Sequence, residues 1–379
     1  MSRRRPRRRR RLLIVLGVVL ALLIPVGVSY GQALTAPGYA SFSARSVDWV
    51  RNHGGESLVN WYETYYYTHH QPPATGLPTE ALPPAPPSAT RTVPGTNAPL
   101  TLPILPGVAA LPGEGLWQPS PQQVGGIPAS WTTFFRPDPK HTGVVAGVSW
   151  LDRRVAVPQL IPGTVEPGGT GYAENYSVPA SERPGLVAVF NSGYKFKDAH
   201  GGYYIEGRQV VPLSDGAASL VVNKDGTTRV GSWGKDLRMT PDVVAVRQNL
   251  RLVVYSGKPN PTITTDTSGT WGSTRSQFQY TWRSGIGTDR QGNLMYVAGN
   301  QLSMQTLAVA MSKAGIVRGM QLDIHTNMVF FTSFTPDRSV SYGLVPQKLL
   351  PAMPGPMTRF LMPDQRDFFA IRLRSAVAP

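Results

Sequence analysis

With 379 residues and no cysteine, the chain is too long for a disulfide-stapled miniprotein and offers no thiolate zinc site, iron–sulfur cluster or cysteine nucleophile. Its formal charge of +15 comes from 37 Lys and Arg against 22 Asp and Glu, a balance that taken whole points to nucleic acid or an anionic membrane. Position changes that reading, because eight arginines lie within residues 1–11 and leave 29 basic against 22 acidic residues in the remainder, a net +7.

Residues 12–30 (LLIVLGVVLALLIPVGVSY) follow the arginines without a break, and no further charge appears until Arg45. At about 1.5 Å per helical residue this run reaches roughly 28 Å, close to the hydrocarbon thickness of a bilayer. Arginines stay on the cytoplasmic side, so the positive-inside rule predicts residues 1–11 as a cytoplasmic segment, 12–34 as a transmembrane signal-anchor and everything beyond as extracytoplasmic. The competing reading is a cleaved signal peptide, with Pro25 as helix breaker and a small-x-small site at Gly31-Gln32-Ala33. An apolar run longer than the roughly 7 to 15 residues of an h-region favours the single-pass anchor in the cell membrane. Direct abutment of the arginines on a span argues against nucleic acid as partner.

Residues 35–71 place Leu58, Tyr62, Tyr65 and Tyr66 at spacings of three and four beside Trp61, which predicts a short amphipathic juxtamembrane helix. Its rings either sit at the headgroup layer or pack on the globular part as core. His69-His70 is a weak metal signal, since adjacent helical residues point about 100° apart. Residues 72–114 carry twelve prolines; such a segment builds neither helix nor central strand and is expected to be an extended linker, a stalk between membrane and domain. Residues 115–379 suffice for one domain. Strand-like runs fall at 144–150, 155–160, 186–190, 203–205, 219–222, 243–246, 251–254, 294–297, 321–324 and 368–373, many bounded by turn pairs such as Asp225-Gly226. One clear helix is expected over 304–314, with Ser303 as N-cap and Gly315 as its stop. The fold class is therefore α+β, a large, mostly antiparallel or mixed sheet with few packed helices. Asn175-Tyr176-Ser177 matches an N-glycosylation acceptor, of consequence only in a eukaryotic secretory route.

No Ser-His-Asp order, HExxH, GxGxxG or P-loop element stands in a convincing context, and neither metal nor cofactor is expected. Three pieces are informative. The run VAVFNSGY ends an apolar strand in Asn191-Ser192-Gly193, where glycine lets the backbone approach a ligand and asparagine offers donor and acceptor. WRSGIGTD sets Arg283, a side chain suited to gripping phosphate, beside two glycines. A strand after the predicted helix delivers Asp323 and His325 near its end.

These pieces resemble the phosphodiester glycosidase family related to the lysosomal uncovering enzyme. The family's strand ending in an Asn-Gly-Gly-Phe-like turn is similar to Phe190-Asn191-Ser192-Gly193-Tyr194. Its Gly-rich hairpin resembles Gly201-Gly202 with Glu206-Gly207, its Arg-Thr-or-Ser-x-x-Gly element Arg283-Ser284-Gly285-Ile286-Gly287, and its Leu-Asp-Gly-Gly-Gly-Ser ending begins at Leu322-Asp323. Order and spacing agree over residues 131–335. The glycine triplet and serine are replaced by Ile324, His325, Thr326 and Asn327, and Ser192 stands where the first turn has a glycine. Together with residues 201–242, this variant ending resembles an exported actinobacterial-type branch of the family.

The resemblance implies a membrane-anchored extracytoplasmic hydrolase that cleaves a sugar-phosphodiester bond in an envelope or secreted glycan. The alternative is a catalytically silent glycan-binding or envelope-interaction module on the same fold. Such chemistry needs a phosphate pocket, stabilisation of an oxocarbenium-like sugar and carboxylate assistance. Asp323 is expected in acid/base work, Arg283 on the phosphate and His325 as replacement donor or proton shuttle. Asn191, Gly193, Glu206 and Arg283 are the expected substrate contacts, and Glu206 or Asp215 the second carboxylate. Bland alternatives stand beside each: Arg283 in an ion pair with Asp323, Asn191 as turn-former, His325 as a hydrogen-bonded surface histidine, the acids as turn residues.

Overall fold

In the computed structural model of the chain, residues 5–36, 41–173, 176–266, 270–271 and 279–374 are described. The first arginines of the basic run and Asn175 of the acceptor-like tripeptide lie outside them. Helix α1 (Arg5–Thr35) contains a stretch, Leu13–Thr35, of mean hydropathy 2.6 with no part buried, long and apolar enough to cross a membrane. Helix α2 (Phe42–Val50) begins at Ser41, whose hydroxyl accepts the Ala44 N–H as an N-cap should. Helix α3 (Glu56–His69) follows a break at Gly54, φ +88°, a backbone conformation that glycine supplies at little cost.

Helix α2 is tied to the end of α1. Ser46 Oγ and Tyr30 Oη lie 2.7 Å apart, Trp49 Nε1 donates to Ser29 Oγ at 3.0 Å, and Arg45 donates to the Leu34 carbonyl at 2.6 Å. Helix α3 divides its two sides between solvent and domain. Leu58, Trp61, Tyr62, Tyr65 and Tyr66 are exposed, whereas Gln279 donates to Thr64 and the Tyr280 N–H to the Tyr67 carbonyl. The aromatic set that marks the helix in sequence is thus not the set that packs on the domain.

Residues 72–114 hold no helix and only a bridge, Thr90 to Trp117, but the stalk expectation is corrected. Val93, Leu102, Leu105 and Leu111 are buried, Asn97 donates to Asp152 at 3.1 Å, and Trp117 Nε1 donates to the Leu100 carbonyl at 3.0 Å. Prolines remove ladder donors without preventing side chains from packing, so the segment wraps the domain. The Arg136–Glu114 ion pair, 2.7 Å with both side chains fully buried, crosses the expected boundary at residue 115.

The domain is α+β, built on three main sheets whose ladders are all antiparallel among the described residues. The eight-stranded sheet places Thr281–Thr288 between Leu294–Leu302 and Arg318–Ile324. One five-stranded sheet sets Leu186–Asn191 between Phe331–Pro336 and Phe368–Leu373; the other is centred on Val243–Gln248. Phe190, Tyr296 and Phe331 stack within 5.1–6.1 Å, joining the first two sheets in one core. The helix Met304–Lys313, N-capped by Ser303, covers the eight-stranded sheet.

The Arg283 element, absent from the strand-like runs read in the sequence, is a buried central strand along its whole length. A Cβ on Gly285 would meet Met311 Sδ at 2.6 Å, and one on Gly287 would meet the Arg318 carbonyl oxygen at 2.5 Å and Ile316 at 2.4 Å. These glycines admit the covering helix and the neighbouring strand, not a phosphate. Gly287→Ala must therefore push against backbone and is expected to lower stability by about 1–3 kcal/mol, read as a drop in denaturation midpoint at unchanged slope; an unchanged midpoint would refute the packing role.

Candidate active site

The site forms where strands of two sheets end together. Arg283 lies opposite Ile324 in the eight-stranded sheet, and Asn191 opposite Phe368 in the five-stranded one. The chain leaving Asn191 is joined to the Asp323 strand by the Asp323 N–H on the Ser192 carbonyl at 3.0 Å. Asn249 ties the same two segments, accepting the Tyr194 N–H and donating to the Gln321 carbonyl at 2.8 Å. Gly193 faces Asn249 so closely that a Cβ would lie 3.2 Å from it. Over this junction lies a cavity of about 470 Å³, bordered below by Tyr194, Lys195, Arg283, Asp323, His325 and Arg366 and above by Asp48, Arg51, Glu63 and Tyr67 of the segment that carries α2 and α3.

Asp323 is the buried acid of this cavity. Its Oδ2 pairs with Arg366 Nη2 at 2.9 Å, and its Oδ1 accepts the Ile324 N–H at 2.9 Å. Burial raises its carboxyl above the usual range, with Arg366 pulling the other way. Arg366 also donates to the Gly193 carbonyl at 2.8 Å. Burial works against its charge, but Asp323, Glu166 and Asp367 hold the guanidinium more firmly protonated than usual. Its Nε is buried with no partner among the described residues. Lys195 pairs with Asp48 of α2 at 2.7 Å.

Arg283 is buried, its Nε donating to the Leu302 carbonyl at 2.9 Å and one Nη to the Gln279 carbonyl at 3.2 Å. It borders the cavity beside Tyr194, and burial lowers its affinity for the proton. The Asp323 carboxylate pairs with Arg366, so the alternative of an Arg283–Asp323 pair gives way to a pairing that no motif in the sequence announces. His325 stacks on Tyr67 of α3 with ring centroids 5.2 Å apart, lies 3.7 Å from Glu63, and has Nδ1 3.3 Å from the Thr281 hydroxyl. Its backbone sits at φ +75°, the left-handed region that favours glycine. The turn thus keeps a backbone suited to the glycine of the family pattern while carrying an imidazole.

Asn191 lies beneath the cavity rather than on it. Its Oδ1 accepts from Tyr296 Oη and the Phe330 N–H, both at 2.9 Å, while Nδ2 donates to Ser284 Oγ and the Ser192 carbonyl, both at 3.0 Å. With these bonds made, it positions the strands and has little left for a substrate. Glu206 lies in the turn between Tyr203–Ile205 and Arg208–Val211, at φ +50°, accepting the Ala173 N–H; it does not border the cavity. Asp215 does not border it either, and packs at Gly234. The second carboxylate facing the cavity comes instead from α3: Glu63, whose carboxyl burial raises against the pull of Arg51, 2.5 Å away. Sequence reasoning missed Glu63, Tyr67, Lys195 and Arg366. Lys195 directly follows the Asn191-Ser192-Gly193-Tyr194 turn, Glu63 and Tyr67 lie in or beside the predicted aromatic helix and Arg366 precedes a predicted strand, but none of the four stands in a motif that marks it. Among the described residues no group of three or more His, Asp or Glu is arranged to hold a metal.

Burial, followed by Arg283 and Arg51, pushes His325 down to about 3, even though 24% of its side chain stays exposed. Between this folded value and the unfolded 6.5, the unfolded chain binds the extra proton, and native stability falls as pH drops through that window. His325→Gln removes this contribution. Its melting temperature relative to wild type is expected to rise steadily as pH is lowered from about 7 to about 4.5; a pH-independent difference would show that the imidazole is not held neutral.

Residues 184–344 match the family model described as phosphodiester glycosidase. No curated protein matches the chain. Among solved structures, it is similar to the zebrafish N-acetylglucosamine-1-phosphodiester alpha-N-acetylglucosaminidase catalytic domain auto-inhibited by pro-peptide (TM-score 0.42, 16% identity, covering 68% of this chain and 87% of that one). It is also similar to a hypothetical protein from Synechocystis (0.35, 10%, 68% and 62%) and a putative exported protein from Burkholderia pseudomallei (0.35, 10%, 63% and 75%). The resemblance carried by Asn191, Arg283 and Asp323 is the one the family model finds: residues 184–344 are similar to the phosphodiester glycosidase family.

Proposed function

We propose that the protein is a membrane-anchored, extracytoplasmic hydrolase that cleaves the bond between a sugar and a phosphodiester in an envelope or secreted glycan. The observation that carries this reading is the Asp323–Arg366 pair at the cavity wall, a buried acid and a largely buried cation side by side with Arg283 and Lys195 close at hand. Cations in a cavity suit the phosphate, and they favour negative charge on the leaving group as the glycosidic bond breaks. A carboxyl with a raised pKa suits proton transfer near neutral pH, a role for Asp323. Glu63 is the candidate second carboxylate that glycosidic chemistry calls for. Neutral His325, between Glu63 and the Thr281 hydroxyl, is placed to relay a proton. Helix α1 supplies the anchor in this reading, its length and hydropathy fitting one span.

A glycan-binding module without turnover is the second reading. It is favoured by the Asp323 carboxylate, already engaged on both oxygens, and by side chains where the family pattern has a glycine triplet. The test uses the full-length protein and a defined sugar-1-phosphodiester. Asp323→Asn is expected to lower turnover about 10²–10⁴-fold, and Glu63→Gln to lower it by a smaller factor, with a cooperative melt retained in both. Release at the wild-type rate in both variants would remove these residues from the chemistry; binding without release by the wild type would favour the second reading.

A further inference from the structure

The cavity's roof belongs to the part of the chain that leaves the apolar helix. One side of α2 bonds to Ser29, Tyr30 and Leu34 in the last turns of α1, while Ala44, Val47 and Asp48 of the same short helix, with Arg51 just after it, border the cavity. A helix with its side chains is about 10–12 Å across, so the cavity lies about one helix diameter from the end of the span. The polar layer on each side of the hydrocarbon is roughly 5–8 Å thick, so a cavity at that height opens at the outer edge of the headgroups. Helix α3 independently gives the same depth. Its inner residues Glu63 and Tyr67 complete the roof, and its outer face is an exposed stripe of Leu58, Trp61, Tyr62, Tyr65 and Tyr66. Exposed tyrosine and tryptophan close in sequence to a span favour the headgroup layer.

A water-soluble polymer would have to push its diester into that layer, whereas the phosphate of a membrane lipid already lies there. We propose that the cavity takes a sugar-1-phosphodiester whose other ester arm is a lipid held in the same membrane as α1. This rests on the reading of the cavity as a sugar-phosphodiester site. The phosphate would meet Lys195, Arg283 and Arg366, and the first carbons of the lipid arm would pack on Val47, Trp271 and Met328, all of which border the cavity. Hydrolysis breaks the bond between the anomeric carbon and the phosphate oxygen. Water supplies the hydroxyl to that carbon and its other proton to the leaving oxygen, so free sugar departs and a lipid phosphomonoester stays in the bilayer.

The experiment reconstitutes the full chain in phosphatidylcholine vesicles. Two photoreactive sugar-1-phosphodiesters of one sugar are compared, one with a long lipid arm and one with a short, water-soluble alkyl arm, and both labelling and sugar release are read. Confinement to one membrane raises the effective concentration, so the long-chain probe in the same vesicles is expected to label peptides containing residues 41–67 and 323–328 on the order of 10²-fold more than the short-chain probe. It is also expected to exceed the long-chain probe supplied in separate vesicles. Equal labelling by both probes, equal labelling from separate vesicles, or labelling confined to α1 overturns the lipid assignment. Cleavage of the short-chain probe in that case leaves the hydrolase reading standing. Cavity labelling by the long-chain probe with no sugar released from either supports the ligand class and overturns the hydrolase reading instead.

Discussion

The side-chain amide of Asn191 is the joint on which the site depends. Two antiparallel sheets end at the cavity, and their register ladders stop short of each other; what spans the gap is an amide that accepts from Tyr296 and Phe330 and donates to Ser284 and Ser192. Each of those partners belongs to a different segment. Ser284 in turn donates to the Asp323 carbonyl at 2.8 Å, so the acid's backbone is fixed through two bonds from one asparagine. A buried amide with all its bonds made rigidifies what it touches, and a partly satisfied one costs free energy. This explains why asparagine, and not an apolar residue of similar volume, sits under a cavity it does not border.

A second constraint concerns the turn after Asp323. The Ile324 N–H closes on the acid's own Oδ1, and His325 then takes φ +75°, which for a residue bearing a Cβ costs on the order of 1–2 kcal/mol. That cost is offset by what the imidazole contacts: Tyr67 of α3 on one side, Thr281 on the other. A glycine there would relieve the backbone and leave the helix above with nothing to stack on. The replacement of the family's glycine therefore goes together with a roof that the juxtamembrane helices supply.

Local periodicity made most of the sheet legible. The strands at Tyr203–Ile205 and Phe368–Leu373 fall where alternating or continuous apolar runs place them, and Met304–Lys313 where Ser303 and Gly315 bracket it. The strand Thr281–Thr288 did not read as one, because Gly285 and Gly287 look like loop residues until the helix that needs their missing side chains is seen above them. The proline-rich wrap was illegible for a related reason, since composition reports which hydrogen bonds a segment lacks but not which side chains it buries. In the site, motif residues such as Asp323 and Arg283 were readable because neighbouring glycines and strand ends flag them. Arg366 and Glu63 carry no local flag: they reach the cavity only through strand pairing and helix docking, relations between segments remote in sequence.

Charge alone would not have singled out Arg366 and Asp323. The domain contains other buried arginine–carboxylate pairs, including Arg136–Glu114, Arg247–Asp367 and Arg359–Asp364. Such pairs are weak evidence for stability, because desolvation offsets much of their attraction. Their remaining donors show what they are for. Arg136 also donates to the Ala109 carbonyl, Arg247 to those of Tyr194 and Gln248, and Arg359 to that of Asn327, so each guanidinium clamps backbone in a loop or at a strand end, and none borders the cavity. Arg366 clamps backbone too, at Gly193, and like Arg136 it keeps a buried nitrogen without a partner among the described residues, but unlike those three it borders the cavity. What distinguishes the Asp323–Arg366 pair is therefore position: a carboxyl raised by burial and its guanidinium meet at the cavity wall, and the other three pairs lie away from it.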